Sequence, residues 1–233
     1  MKEENVLERF KRDTRNHSMT VENDNGIFRH LHFSRGNSSS YHFTLTTWPG
    51  HLCIGGDMGT YVFRRLHDMF KFFRMDHSDY QRHGDDPVIN AGYWSEKLQT
   101  GGGFRREVYT EWSSTAFENQ VQEQYDQWLE EFDPDDYEGD AETIKAEVKE
   151  AIDSLKGESE DEWSAVAAIR EFYSDHIDMC DFWESGGCRR ASFHYLWCLY
   201  AIVWGIQLYD RRNLVNAAMD KFFVYQFMQE QKA

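Results

Sequence analysis

The sequence predicts an α+β fold, in which an N-terminal antiparallel β meander with a packed helix precedes an acidic, aromatic-rich α-helical half. Two observations carry this prediction. Apolar and polar residues alternate through much of residues 27–63, whereas from residue 115 onward apolar residues recur every three or four positions. A chain of 233 residues suits one large domain or two small ones. We divide it into residues 1–112 and 113–233, as one compact unit or two closely packed subdomains.

The meander begins with two runs, residues 27–34 and 41–48, separated by the turn-forming stretch RGNSSS. Turn residues between alternating runs predict a β-hairpin. A further turn at Pro49 and Gly50 leads to short strands at residues 51–54 and 60–63. Antiparallel pairing of consecutive strands follows from such short connections.

The pattern then changes to that of a helix. Leu66, Met69, Phe70 and Phe73 stand at helical spacing and predict a helix of about nine residues that packs on the sheet. Residues 104–112 follow a run of three glycines and are predicted to form another strand. This strand completes the β-rich region.

The second half shows five helical patterns. Helices are predicted at residues 115–132, around the apolar stripe 144–155, and at 161–183, 192–209 and 213–227. The apolar run 195–209 is shorter than a membrane span and contains Gln207, which favours a buried helix and no membrane partner.

Negative charge is concentrated in one stretch of the chain. The net charge is −16, and residues 118–162 hold 18 acidic side chains against three lysines. This balance argues against direct binding to nucleic acid or anionic membranes. Two interpretations of this stretch are compatible with each other. It is a solvated face that keeps the protein soluble, or a surface that attracts a basic partner. The densest carboxylates, predicted to bind a partner, are Glu130, Glu131, Asp133, Asp135 and Asp136.

Two groups of side chains could hold a metal ion, although no cofactor beyond a possible zinc is predicted. Imidazoles, thiolates and carboxylates are the usual ligands of transition metals. Ordinary strand histidines, a turn-capping Asp57 and core cysteines explain the same residues without a metal. The first group is His30, His32, His42 and Asp57, and the second is His176, Cys180, Cys188 and His194.

Cysteine usage and the N-terminal sequence indicate the compartment. Four scattered cysteines do not form a disulfide framework, and residues 1–13 contain no apolar segment typical of a signal peptide. We therefore expect a cytoplasmic protein. The sequence also lacks the G-x-S-x-G, C-x-x-C, H-E-x-x-H and Walker motifs of common enzyme classes, and we predict no catalytic residue.

Residues 47–74 follow the block TWPGxLxIxGDMGxYVFxRxxDMFxFFR. The matching residues are Thr47, Trp48, Pro49, Gly50, Leu52, Ile54, Gly56, Asp57, Met58, Gly59, Tyr61, Val62, Phe63, Arg65, Asp68, Met69, Phe70, Phe72, Phe73 and Arg74. This stretch resembles a family of phage and prophage proteins that share the block. The resemblance implies a counter-defence protein of the anti-Gabija type, which binds a host nuclease and ATPase complex as a homo-oligomer in the cytoplasm of the infected bacterium.

Three functional hypotheses follow. The first is a non-enzymatic inhibitor that evades host immunity by binding a bacterial defence complex and blocking its DNA binding or activation. The alternative is a metal-dependent enzyme that degrades or sequesters an immune nucleotide signal, with the first histidine group in its cleft. A phage housekeeping protein without an immune target is the third.

Overall fold

The fold of residues 5–36, 38–99, 105–184 and 187–230 is described by a computed structural model. It confirms the α+β class, with an antiparallel sheet followed by a largely helical half. The first half contains α1 (Val6–Thr14), β1 (Ser18–Asn25), β2 (Phe28–Ser34), β3 (Phe43–Trp48), β4 (His51–Gly56), β5 (Tyr61–Arg64), α2 (Phe70–Phe73), α3 (His77–His83), α4 (Ala91–Ser95) and α5 (Arg105–Tyr109). The second half contains β6 (Thr110–Trp112), α6 (Ser114–Glu131), a 3-10 turn (Pro134–Asp136), α7 (Ala141–Gly157), α8 (Glu162–Glu171), β7 (Arg189–Ala191) and α9 (Phe193–Glu230).

The five strands β1 to β5 form one antiparallel sheet in sequence order. The predicted hairpin is confirmed, because β2 pairs with β3 so that Leu31 lies opposite Leu45 and Phe33 opposite Phe43. Alternation sends these four side chains to one buried face of the sheet. β6 and β7 form a separate two-stranded sheet.

The long helix α9 packs its first half against this apolar face. Its Trp197 is fully buried and contacts Phe43 with ring centroids 5.8 Å apart. Gly205 comes so near the sheet that an added Cβ would lie 2.8 Å from Leu45 Cδ1 and 2.9 Å from Phe33 Cζ. The absence of a side chain at Gly205 therefore sets the close approach of helix and sheet.

Four predicted helices differ from the structure. The helix predicted from residue 66 is only the single turn α2, and α9 provides the main cover of the sheet. The helices predicted at 192–209 and 213–227 are one helix, because the intervening Asp210, Arg211 and Arg212 contain no helix-breaking residue. The helix predicted at 161–183 ends at Glu171, since the next residue is extended.

Other differences concern polar or short elements. Arg105–Tyr109 is helical where a strand was predicted, and residues 101–104 lie outside the described part. The sequence prediction missed α1, which begins at an Asn5 side chain that accepts a hydrogen bond from the Leu7 amide. It also missed β1, an edge strand whose mostly exposed side chains give no apolar alternation.

The chain forms two compact units. The sheet unit comprises Met1–Tyr109 and Ala191–Ala233, and the acidic unit comprises Thr110–Arg190. The C-terminal helix α9 thus belongs to the same unit as the sheet. The predicted division at residues 112/113 assigns this helix to the other half of the chain. The acidic unit has its own core, built around Phe117, Val148 and Phe182. Within the described residues, no helix has the length and apolar character needed to cross a membrane.

Candidate functional site

The predicted partner surface lies where α6 ends. Glu130 and Glu131 close the helix, and the next residue is extended. Asp133 caps the following 3-10 turn, because its side chain accepts a hydrogen bond from the Asp135 amide at 3.0 Å. The five carboxylates at positions 130, 131, 133, 135 and 136 are all exposed. The end of α6 and the turn therefore hold them in one short segment.

The position of this carboxylate segment is unfavourable for the helix. The C-terminus of a helix carries a partial negative charge and is stabilised by basic side chains. The last turn of α6 contains no basic residue and instead ends in Glu130 and Glu131. Helix dipole and carboxylates thus add to the same negative potential, which is costly for stability and useful for attracting a cation-rich surface.

Aromatic side chains pack against one another next to the carboxylate segment. Phe132 lies between Trp128 and Tyr137, with ring centroids 5.1 Å from each. The Lys145 ammonium sits 5.0 Å from the centre of the Phe132 ring. Such contacts hold the turn in place, so that the carboxylates project from a packed scaffold.

The charge asymmetry follows the division into units. The acidic unit, residues 110–190, holds 24 acidic and six basic side chains, whereas the rest of the chain holds 17 and 19. The whole negative excess therefore belongs to one folded unit. A field of this kind speeds encounter with a positively charged partner and weakens with salt.

The acidic unit also exposes large aromatic side chains. Trp163, in the first turn of α8, is 86% exposed, and Tyr173 is 81% exposed. A groove of about 460 Å³ in the same unit is lined in part by Phe172, Met179 and Trp183. Trp and Tyr are among the residues that most often carry the binding energy of protein interfaces. The sequence signal for the exposure of Trp163 was the pair of acidic residues that precede it, Asp161 and Glu162.

The first predicted metal group is not brought together. His30 contacts Thr46 and Glu22, with Nδ1 2.7 Å from Oγ1 and Nε2 3.1 Å from Oε2. His32 and His42 lie with ring centroids 6.2 Å apart. In the described part of the chain, no three His, Cys, Asp or Glu side chains gather closely enough to hold a metal ion.

Asp57 has a structural role in the turn after β4. Its Oδ2 accepts a hydrogen bond from the Tyr41 amide at 2.8 Å, and its own amide donates to the His42 carbonyl at 3.0 Å. This is the turn-capping role that the surrounding glycines indicated.

The second predicted metal group is also dispersed. Cys188 is buried with Sγ 3.5 Å from Gln120 Oε1, whereas Cys180 is exposed. A hydrogen bond to Asp178 and the charge of that carboxylate raise the pKa of Cys180, which disfavours the thiolate that zinc requires. His176 lies in the acidic unit and His194 in the sheet unit.

Comparison with protein-family models, curated proteins and solved structures finds no match to this chain. The resemblance to phage counter-defence proteins therefore stays a prediction, carried by the block at residues 47–74.

Proposed function

We propose that this protein is a phage-encoded inhibitor of a bacterial anti-phage defence system, which acts in the host cytoplasm by binding a defence complex stoichiometrically. The observation that carries the proposal is the segregation of charge into one folded unit with exposed carboxylates on a packed scaffold. Such a surface suits the binding of a macromolecule. Long-range attraction speeds association, and the packed scaffold holds the contact area in place.

The partner that fits this surface is basic. A nuclease that binds DNA presents Lys and Arg to neutralise phosphates, and the carboxylate segment offers a competing set of negative charges. The resemblance at residues 47–74 leads us to propose a host nuclease and ATPase complex of the Gabija type as this partner. Occupying its DNA-binding face would block DNA binding or activation.

Removing the negative charge of the carboxylate segment is expected to weaken binding to the defence complex. We change four residues to lysine and keep an acceptor at the cap with Asp133→Asn. Because the change removes attraction, we expect slower association by roughly tenfold or more and a shallower dependence on salt. The lysine substitutions are at Glu130, Glu131, Asp135 and Asp136.

A matched control carries the same change in charge on the sheet unit. It combines lysine at four exposed acidic positions with Asp86→Asn, and its fold and association rate should stay close to wild type. Equal association rates for wild type, variant and control would contradict the electrostatic part of the proposal. The lysine positions of the control are Glu8, Glu22, Asp85 and Glu96.

The end of α9 supports the proposed homo-oligomer. Beyond Asp210 this helix exposes a series of large apolar side chains, each with 50% to 73% of its surface accessible. At about 100 Å² each, they approach the roughly 800 Å² that one partner contributes to a standard interface. They are Leu214, Val215, Met219, Phe222, Phe223, Val224, Tyr225 and Phe227.

A second copy of the chain is the occupant that we assign to this apolar segment. Between residues 213 and 227 the only charged side chains are Asp220 and Lys221, so two copies can pair without like-charge repulsion. Apolar residues lie on most sides of the segment, which is typical of a helix that is buried in an assembly.

Replacing two residues of the apolar segment by glutamate is expected to dissociate the oligomer. We expect wild type to have at least twice the monomer mass of 27.7 kDa at micromolar concentration, and the pair Met219→Glu and Phe222→Glu to be monomeric. Loss of two buried anchors weakens self-association by roughly 100-fold or more. Sedimentation velocity measures the mass.

The control for this experiment is the pair Asn213→Glu and Asn216→Glu, which adds the same charge to the same helix but removes no apolar side chain. It should weaken self-association far less than the apolar pair. A monomeric wild type, or equal dissociation by both pairs, would contradict pairing through the apolar segment.

A further inference from the structure

The sheet unit contains a basic pocket that the proposed function does not use. A cavity of about 290 Å³ lies where the end of α1 meets the loop between β2 and β3. Three arginines line it, Arg12 and Arg15 from the end of α1 and Arg35 from the loop. Guanidinium groups present several N–H donors in a planar fork that matches phosphate oxygens.

The one carboxylate of the basic pocket is already engaged. Asp13 accepts from Arg9 Nε at 3.2 Å and from Trp197 Nε1 at 3.3 Å. Arg15 and Arg35 are exposed, and within the described residues neither forms an ion pair. The pocket therefore keeps a positive charge that the protein itself does not neutralise.

Tyr41, which also lines the pocket, has an unusual backbone. With φ at 59°, it is the only non-glycine residue with positive φ in the described part of the chain. This conformation costs roughly 1–2 kcal/mol for a residue with a Cβ. Its amide donates to Asp57, its hydroxyl accepts from Arg9, and its carbonyl lies 3.1 Å from His17 Nε2. Strain that is held by several contacts is a common feature of binding sites.

His17, which also lines the pocket, has a buried nitrogen without a partner among the described residues. Its Nε2 faces the Tyr41 carbonyl and carries the hydrogen of that bond, while Nδ1 is buried without a partner among the described residues. Burial lowers the pKa of His17 and outweighs the hydrogen bond to the Tyr41 carbonyl, which raises it. The charge of Arg35 lowers the pKa further, and that of Asp13 opposes it. A negative charge bound between Arg15 and Arg35 would favour the protonated His17 ring through its electrostatic attraction.

Neutralisation of the helix dipole explains only part of this pattern. Basic side chains in the last turn stabilise a helix C-terminus, which accounts for Arg12 and Arg15 at the end of α1. It does not account for Arg35 on a separate loop, for the strained Tyr41 or for the unpaired nitrogen of His17. Arg15, Arg35 and Tyr41 share one cavity, and a bound anion would pair with Arg15 and Arg35 together.

We propose that the basic pocket binds a phosphate-type oxyanion, as carried by a nucleotide or another phosphorylated small molecule. Arg15 and Arg35 hold the oxyanion from two sides, and its negative charge favours protonation of the nearby His17. The proposal is independent of the carboxylate segment, which lies in the acidic unit.

Titration with two probes, inorganic phosphate and AMP, tests this proposal on the full-length protein. Calorimetry should show saturable binding in the millimolar range or tighter. The double variant Arg15→Ala and Arg35→Ala should lose at least tenfold in affinity, because each charge-assisted hydrogen bond contributes roughly that factor. The control Arg64→Ala removes an exposed arginine outside the pocket and should bind as wild type.

An NMR readout separates the pocket from general surface charge. Phosphate should raise the pKa of the His17 imidazole, a residue that also faces Arg35, Asp13 and His42. The double variant should show no such rise. Equal affinity of wild type and double variant, absence of saturable binding, or an unchanged His17 pKa would each overturn the proposal. AMP binding tighter than phosphate would assign the ligand to nucleotides, and equal binding to the phosphate group alone.

Discussion

Gly56→Ala is expected to destabilise the protein by about 3 kcal/mol or more, because the new methyl group has no space. A Cβ at Gly56 would lie 2.2 Å from the His42 carbonyl oxygen and 2.7 Å from Phe43 Cα, both of which are backbone atoms. The φ of 153° at this residue is also strained for any side chain. β3 and β4 would have to separate to relieve the contact.

The neighbouring Gly55 provides a matched control for this substitution. A Cβ there would lie 3.6 Å from Thr60 Oγ1 and 3.7 Å from Thr44 Oγ1, which are ordinary contacts. Gly55→Ala should therefore change the free energy of unfolding by less than about 1 kcal/mol. Urea denaturation measures both variants. Similar free energies of unfolding for the two variants would contradict the claim that the backbone of His42 and Phe43 leaves no space for a side chain at Gly56.

Asp68→Ala is expected to cost about 3 kcal/mol, since it leaves the Arg29 guanidinium buried without its counter-charge. Arg29 is 8% exposed and donates to both carboxylate oxygens of Asp68, at 2.9 and 3.3 Å. The guanidinium also lies 4.5 Å from the centre of the Phe70 ring and donates to the Tyr209 hydroxyl at 3.4 Å. This one arginine thus joins β2, α2 and α9.

A nearby ion pair in a more exposed position serves as the control. Arg74 and Asp210 form a similar two-bond pair, at 2.6 and 2.8 Å, with about a third of each side chain exposed. Asp210→Ala should cost no more than about 1 kcal/mol, because solvent screens exposed pairs. If Asp210→Ala destabilised as much as Asp68→Ala, burial would not be the cause of the difference.

The pair formed by Arg29 and Asp68 also predicts that the stability of the protein depends on pH. Burial alone would raise the pKa of Asp68, but the hydrogen bonds and charge of Arg29 outweigh it and hold the pKa below its ordinary value. A depressed folded-state pKa stabilises the protein above the unfolded pKa, and this contribution is lost as the pH falls through the folded value. Asp68→Ala should therefore remove part of the acid sensitivity of unfolding.

The β meander could be predicted from the sequence because its signals are local. Alternation places Leu31, Phe33 and Leu45 on one face, and turn residues mark each connection. The cover of the sheet could not be predicted in this way, since α9 lies some 150 residues further along the chain. No local pattern states that Gly205 rests on Leu45.

The two candidate sites differ in the same respect. The carboxylate segment is contiguous, so composition alone located it, and the structure adds its place at the end of α6. The basic pocket unites Arg15, Arg35 and Tyr41 from separate elements. Its strongest signal is the φ of Tyr41, which a sequence pattern does not display.

Titrating this protein against the DNA-cleaving activity of a purified nuclease and ATPase defence complex tests the central claim most directly. Stoichiometric binding predicts a linear fall in activity that ends at a fixed molar ratio. The carboxylate-segment variant should need a much larger excess, and the sheet-unit control should follow wild type. Full inhibition at ratios far below one, or an identical curve for the carboxylate-segment variant, would contradict inhibition by binding through the acidic unit.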